Sequence, residues 1–335
     1  MTAVHLQSCH RNDRSQKGDL VGAGSRLAGS VDPMHHWAGS GGVTIAGDSW
    51  GAASGPLVIL LHGGGQTRHA WHGTGEKLGA AGYHVVAIDS RGHGDSDWAP
   101  DGVYGQDAMV EDLVAVVAAL GNRRPVLVGA SMGGGTSLVA VGEGRVDATA
   151  LVLVDIAPQI EAEGASNIAA FMSFKPGGFD SLQEVADAIA SYQPHRNRPR
   201  NLDGLAKNVR LGEDGKYHWH WDPRFLVGPR DLIHRRARLD ACVANLVLPT
   251  LLVRGGLSDI LSEAGAESFL RICRHSEYVN VEGAAHMVAG DRNDIFADAV
   301  INFLSRALPI GDDQQPIRQT GTHHEGPAGD VIDVP

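Results

Sequence analysis

The most chemically loaded stretch of the sequence is Pro125-Val-Leu-Val-Gly-Ala-Ser131-Met-Gly-Gly-Gly135. An apolar run, Val126–Val128, leads into Gly129-x-Ser131-x-Gly133 and then into the helix-compatible Thr136–Val141. This is the strand-turn-helix pattern of a nucleophile elbow. A serine hydroxyl attacks poorly unless a tight turn holds it within reach of a base. Flanking glycines let the backbone reverse where a Cβ would collide. The turn leaves the Met132 N–H at a helix start, where a developing oxyanion is stabilised. In a chain with 44 glycines the five-residue pattern alone carries little weight; the strand before it and the helix after it carry the argument.

A nucleophilic serine needs a base, and the base needs a carboxylate to fix its tautomer. Of the 17 histidines, His286 has the best placement, in Glu282-Gly-Ala-Ala-His286 just after the apolar strand Glu277–Val281. Two acids end strands upstream. Asp259 follows Pro249–Arg254 in Gly256-Leu-Ser-Asp259, and Asp155 ends Leu151-Val-Leu-Val-Asp155. The order Ser131…Asp259…His286 is the preferred expectation, with Asp155 the rival acid. The second oxyanion donor is expected from His62-Gly-Gly-Gly-Gln66, at the N–H of Gly64, with Gly65 as the alternative.

These residues must be carried by a regular scaffold. Strand signals at 42–47, 56–62, 83–89, 126–130, 150–155, 249–254 and 277–281 alternate with helical ones near 75–81 and 296–304. Val110, Leu113, Val114, Val117 and Leu120 repeat at helical spacing. Such alternation predicts an α/β fold, a mostly parallel sheet with helices on both faces. From 157 to 244 the rhythm breaks, over a length no ordinary loop explains. Helical signals at 166–174, 181–192 and 202–211, then Tyr217-His-Trp-His-Trp-Asp222, predict a helical cap over the carboxyl ends of the strands. The expected organisation is an N-terminal extension without fixed structure (1–35), a core (36–156 and 245–308), the cap (157–244) and a flexible C-terminal tail (309–335).

Taken together, His62–Gln66, Asp89-Ser-Arg-Gly-His-Gly-Asp-Ser96, the elbow, Gly256–Asp259 and Glu282–His286 resemble the motifs of the α/β-hydrolase superfamily over roughly residues 40–308. The sequence is most similar to its capped, epoxide-hydrolase and haloperoxidase-like branch, with serine as nucleophile. The resemblance implies acyl transfer to water: cleavage of a carboxylic ester, lactones and half-esters included, through an acyl-enzyme. Amide, C–C bond or cofactor-free perhydrolase chemistry on the same triad is the first alternative. A non-catalytic small-molecule receptor is the second. Neither cofactor nor metal is implied. A serine at the elbow argues against epoxide hydrolase or haloalkane dehalogenase activity, for which these relatives use aspartate.

Arg68, His69 and Trp71 follow the oxyanion loop and are candidates to line the pocket; an inward Arg68 would favour a substrate with a second carboxylate, whereas the usual alternative is an ion pair within the protein. In His218-Trp-His-Trp221, alternation puts histidines on one face and tryptophans on the other, which makes Trp219 and Trp221 pocket candidates and a metal site improbable. Asp89, Arg91 and His93 read as structural, and His35-His36 and His323-His324 fall in the expected tails without a role. The net charge of −11 excludes a general nucleic-acid or anionic-membrane binder. Three scattered cysteines form no disulfide framework. No apolar run spans a bilayer and no secretory leader is evident, so the cytoplasm is the default compartment. A small ester-like molecule is the expected partner; no heptad or apolar stripe indicates an oligomeric state.

Overall fold

The computed structural model describes residues 24–28, 30–193, 202–227, 232–291 and 293–309. An eight-stranded sheet is built from β1 (His35–Ala38), β2 (Thr44–Trp50), β3 (Leu57–Leu61), β4 (His84–Ile88), β5 (Val126–Ala130), β6 (Ala150–Val154), β9 (Thr250–Gly255) and β10 (Glu277–Val281). Their order is β1-β2-β4-β3-β5-β6-β9-β10; β2 pairs antiparallel with both β1 and β4, and every pairing from β4 to β10 is parallel. The chain is thus an α/β protein with a mostly parallel sheet.

The inner strands are apolar because both of their faces are covered, and their side chains alternate between two cores. Ile59, Leu61, Leu127, Leu151, Leu153 and Leu252 face one layer. That layer contains α2 (Gln106–Ala119), α3 (Met132–Gly142), α6 (Leu232–Ala244) and α7 (Glu263–Ile272). Val58, Leu60, Val126, Val128, Val152 and Val253 face the other, where α1 (His72–Ala80) and α9 (Asn293–Ala307) contribute Leu78, Phe296 and Phe303. The short α8 (Val288–Asp291) precedes α9.

Between β6 and β9 lies an insert with a core of its own. It comprises α4 (Ala162–Met172), α5 (Leu182–Tyr192) and a two-stranded antiparallel ribbon of β7 (Val209–Leu211) and β8 (Tyr217–Trp219). Met172, Phe179, Val185, Leu205, Val209 and Trp221 are among its buried side chains. The helix that follows, α6, buries Leu239, Cys242 and Val243 in the core of the sheet, so the expected cap boundary at 244 moves back to before α6. The helix expected over 202–211 is instead a 3₁₀ turn, Asp203–Lys207, running into β7. Val209 and Trp219 are buried opposite one another across the ribbon, so β-pairing of an alternating segment prevails over helical propensity.

The expected boundary at residue 35 also shifts. His35 opens the edge strand β1, and Ser25 exchanges backbone hydrogen bonds of 2.8 Å with Leu211 of the insert. Residues 1–23 and 310–335 of the expected tails lie outside the described residues. Among the described residues no helix is long and apolar enough to cross a membrane.

Packing of α3 against α6 sets the elbow helix on the sheet. A Cβ on Gly142 would stand 2.4 Å from Cys242 Cβ and 2.6 Å from its Cα. Gly142→Val is therefore expected to force the helices apart and destabilise the protein by about 1–3 kcal/mol. Gly177→Ala, where nothing lies within 4 Å, should stay within about 0.5 kcal/mol of wild type. Urea unfolding midpoints of the two variants test the difference.

Candidate active site

Ser131 stands between β5 and α3 with φ 48° and ψ −109°. A non-glycine residue pays for such a backbone with about 1–3 kcal/mol of strain, and holds it only where its surroundings dictate it. Here they do. A Cβ on Gly129 would meet Gly133 O at 2.4 Å, one on Gly133 would meet Leu61 O at 2.4 Å, and one on Gly134 would meet Ile156 Cγ2 at 2.4 Å. The elbow is pressed between β3 and the segment after β6, and only glycines fit. The Ser131 N–H donates to Val154 O at 3.0 Å, fastening the turn to the neighbouring strand.

That strand ends in a second strained residue. Asp155, fully buried, has φ 52°. Its Oδ1 accepts the Gly255 N–H at 2.9 Å, and its Oδ2 accepts the Ser258 hydroxyl. The same Oδ2 lies 2.7 Å from Nδ1 of His286. With the carboxylate as acceptor, Nδ1 carries the proton and Nε2 presents a lone pair. His286 and Ser131 line one cavity.

The acid that reaches the histidine is thus Asp155, and the expectation of Asp259 is corrected. Asp155 leaves β6 directly after its last residue, as Ser131 leaves β5, and Ala130 pairs with Val154 in register. Asp259 sits four residues beyond the end of β9, on an exposed turn. From there its charge acts on Tyr192, whose hydroxyl is pushed up to about 12 by burial first and Asp259 second.

The loop His62–Gln66, from which the second oxyanion donor is expected, runs from the end of β3 past Ser131, where a Cβ on Gly63 would lie 3.4 Å from the Ser131 Cβ. The Gly63 N–H donates to Gln66 Oε1 at 2.9 Å, and Gln66 N–H donates to Gly63 O at 3.1 Å, closing a turn in which Gly65 has φ +72°. Gly63 is therefore occupied, which leaves the N–H groups of Gly64 and Gly65 as candidates from this loop. Met132, first residue of α3, has no intrahelical acceptor for its N–H. Gly64 lines the space around Ser131 on both of its sides.

Three buried histidines brace this loop from behind. His62 donates from Nδ1 to Gly63 O at 2.8 Å and accepts the Ser90 N–H on Nε2 at 2.9 Å. His220, from the insert, accepts the Gly94 N–H on Nδ1 at 2.8 Å, so its Nε2–H faces Gly65 O at 3.4 Å. His93 packs between them, with ring centroids 5.3 Å from His62 and 5.9 Å from His220. Burial lowers all three pKa values, His93's to about 3. Neighbouring cationic forms would repel one another, which reinforces neutrality in the cluster.

Of the substrate-binding candidates, Gly65, His69, Trp71, Trp219 and Trp221 line the cavity beside Ser131 and His286. Trp219 and Trp221 stack at 4.8 Å and 13°, and donate their indole N–H groups to Phe174 O and Met172 O. Burial lowers the pKa of His69, with Arg68 adding to the effect. Arg68 does not reach this cavity. It is fully buried and spans Asp48 (2.8 Å), Asp89 (2.6 Å) and Asp95 (2.8 Å). Burial opposes its charge, but Asp89, Asp48 and Asp95 outweigh burial and raise its pKa. The carboxylate-recognising role considered for Arg68 gives way to this internal network. His218 and His220 part ways as the chain leaves β8: His218 contacts Asp214 at 3.0 Å, whereas His220 is buried. Among the described residues no group of three or more His, Cys, Asp or Glu side chains is arranged to hold a metal ion.

Several cavity residues carry no signal in the sequence. Phe171 and Tyr192 stack at 4.2 Å and 10°, and with Gln193 and Asn208 they complete the wall opposite Ser131. They come from helices and turns whose facing is decided by the insert's own core. Asp155 had a readable signal, its position as the first residue after a buried strand.

A family model described as alpha/beta hydrolase fold matches residues 56–292. Esterase Rv0045c of Mycobacterium tuberculosis is 31% identical over 251 residues, which cover 72% of this chain and 80% of that protein. A crystal structure of that esterase superposes with a TM-score of 0.63 at 26% identity, covering 83% of this chain and 93% of the other. The sn-1-specific diacylglycerol lipase ABHD11 of Mus musculus is 26% identical over 265 residues, 76% of this chain and 83% of its own. The fold is also that of E-2-(acetamidomethylene)succinate hydrolase, with a TM-score of 0.71 at 23% identity, over 81% and 98% of the two chains.

The histidine cluster generates a stability prediction. In the unfolded chain these imidazoles titrate near 6.5, and in the folded protein they stay neutral to lower pH. The folded state then binds fewer protons, so stability is fully present above about pH 6.5 and is lost as pH falls toward the folded pKa values. Each histidine contributes a slope of up to about 1.4 kcal/mol per pH unit. Urea unfolding between pH 7.5 and 5 should show this loss, and His93→Phe should make the acid slope shallower; an unchanged slope would clear His93 of any part in it.

Proposed function

The chain belongs to the α/β-hydrolase family, and from that premise we propose that it is a serine hydrolase of carboxylic esters, working through Ser131, His286 and Asp155. The observation that carries the reading is the 2.7 Å contact between His286 Nδ1 and Asp155 Oδ2 beside a serine held at φ 48° in the same cavity. The similarity to a mycobacterial esterase supports an ester as the scissile group.

In this mechanism His286 Nε2 takes the Ser131 proton as Oγ attacks the ester carbon. The oxyanion is received by the N–H groups of Gly64 and Met132, which are fixed before the charge develops and need no reorganisation. The imidazolium is stabilised by Asp155 and then gives its proton to the leaving alcohol. A water activated by the same histidine attacks the acyl-enzyme, releasing the acid and regenerating Ser131. Asp155 suits its role because its other contacts come from donors, Gly255 N–H and the Ser258 hydroxyl, which hold both carboxylate oxygens in place beside His286. The insert before α6, with α4, α5 and the β7–β8 ribbon, serves as a cap over the site, and the mechanism calls for no cofactor.

Substitutions separate the two candidate acids. Ser131→Ala should abolish the acyl-enzyme seen by intact-protein mass spectrometry during turnover of a p-nitrophenyl ester. Asp155→Asn should lower kcat by about 10³–10⁴, as loss of the correct tautomer does elsewhere, while Asp259→Asn leaves kcat nearly unchanged. A larger loss in Asp259→Asn, with both variants folded, would return the acid to the β9 turn.

A further inference from the structure

Ser131 opens onto two chambers, both with largely apolar walls, of which the first carries the greater share of polar groups. The first, about 320 Å³, carries Trp71, Tyr192, Gln193, Asn208, Trp221 and His286 in its wall. The second, about 410 Å³, is walled by Ile156, Ile160, Met172, Leu226, Leu239 and Ile260. Gly64, Ser131 and Ile168 line both, so the chambers meet at the nucleophile and its oxyanion donor. His286 lines only the first, and Met132 only the second.

We propose that the two chambers divide the substrate, the second taking an aliphatic acyl chain and the first a polar alcohol; the inference rests on the acyl-transfer reading above. The direction follows from the proton. The carbon attacked by Ser131 carries three other groups: the oxyanion, the leaving oxygen and the acyl chain. The leaving oxygen must lie within reach of the histidine that protonates it, so the alcohol occupies the chamber that contains His286. The oxyanion points to Gly64 and Met132. The acyl chain is left the remaining direction, into the chamber that His286 does not line. The C–O bond of the ester breaks as Ser131 Oγ–C forms, and the serine proton travels through His286 to the alcohol; water then reverses the sequence at the acyl carbon.

The walls match these occupants. The aliphatic chamber is built from α3, α4, α6 and the segment after β6. The charged groups in its wall have partners: Arg238 pairs with Asp107 and Glu143, and His234 and Arg235 have interactions of their own. Burying apolar substrate there stabilises the complex without stranding a charge. In the first chamber the amides of Gln193 and Asn208 stand with the Tyr192 hydroxyl, which stays protonated at neutral pH. Indole and phenyl faces supply contact area between these polar groups, the composition that fits an alcohol with further hydroxyls.

A chain-length series tests the assignment. With p-nitrophenol fixed as the leaving group, kcat/KM should rise from acetate to decanoate by about fourfold per methylene until the chamber is full. Ala169→Trp, which fills the second chamber from α4, should lower the decanoate-to-acetate ratio of kcat/KM by at least about tenfold; Ala165→Phe is the second variant should the first not fold. With octanoyl fixed, the glycerol ester should turn over faster than the hexyl ester. Calorimetry on Ser131→Ala should detect decanoate binding that Ser131→Ala/Ala169→Trp lacks. Decanoate binding lost on filling the chamber, without turnover of any ester, would keep the aliphatic chamber and overturn the hydrolase reading. Turnover of esters with no chain-length dependence, or an unchanged ratio in both filled variants, would overturn the chamber assignment and keep the hydrolase. A faster hexyl ester would overturn the polar half.

Discussion

Everything at the site depends on two adjacent strands ending at the same level. Ala130 and Val154 pair across β5 and β6, so Ser131 and Asp155 leave the sheet side by side. Both are forced to positive φ, 48° and 52°. Each is anchored by its backbone N–H to the next strand, Ser131 to Val154 O and Asp155 to Val253 O. A single strained residue at a strand end is easily relaxed by moving the loop. Here the loop cannot move, because Gly129, Gly133 and Gly134 have each other, β3 and Ile156 within collision distance of any added atom. The strain is held by the packing of the whole sheet, and hydroxyl and carboxylate inherit the rigidity of the strands.

The oxyanion loop has no such strand to rest on, and its support is polar. Arg68 follows it immediately and is bound to Asp48 on β2 and to Asp89 and Asp95 of the loop after β4. Arg210 of the insert shares Asp95 at 2.9 Å. With Arg26 also on Asp95 at 3.2 Å, three carboxylates and three guanidiniums tie five segments together at one point. Buried ion pairs add little net stability against an apolar equivalent, yet removing one partner strands the others. Their consequence here is geometric: the segment after Gly65 is fixed to the core and to the insert at once. His62 and His220 bind the carbonyls of Gly63 and Gly65 from the same two sides.

The sequence made the strands legible because buried parallel strands are short unbroken apolar runs, and it made Ser131 and His286 legible because glycines and strand ends flank them. The choice between Asp155 and Asp259 was legible in principle. Both follow apolar strands, but only Asp155 follows without an intervening residue, and only strand order shows that β6 adjoins the elbow strand while His286 reaches it across β9. Neither order nor register is encoded in local pattern. β1 escaped notice because an edge strand of four residues with alternating exposure has little apolar content. In the insert, the segment 202–211 read as a helix and became a turn and a strand, since its ribbon partner lies after it and its buried contacts come from α4 and α5.

This division of support couples selectivity to rate. Met172, the last residue of α4, stands so close to the oxyanion loop that a Cβ on Gly65 would lie 3.4 Å from its Cγ and one on Gly64 3.6 Å from its Sδ. The same Met172 walls the aliphatic chamber. Met172 thus neighbours that loop as well as walling the chamber, and a bulkier side chain in its place would press on both. Displacing an oxyanion donor by about 1 Å can cost on the order of a hundredfold in rate, while a methylene's worth of chamber space is worth only about fourfold in affinity. Reshaping the insert near Met172 is thus expected to act on kcat before it acts on KM. Leu239 and Ile260 also wall the chamber but are not among the nearest neighbours of a Cβ on Gly63, Gly64 or Gly65, and changes there are where acyl preference and turnover should come apart.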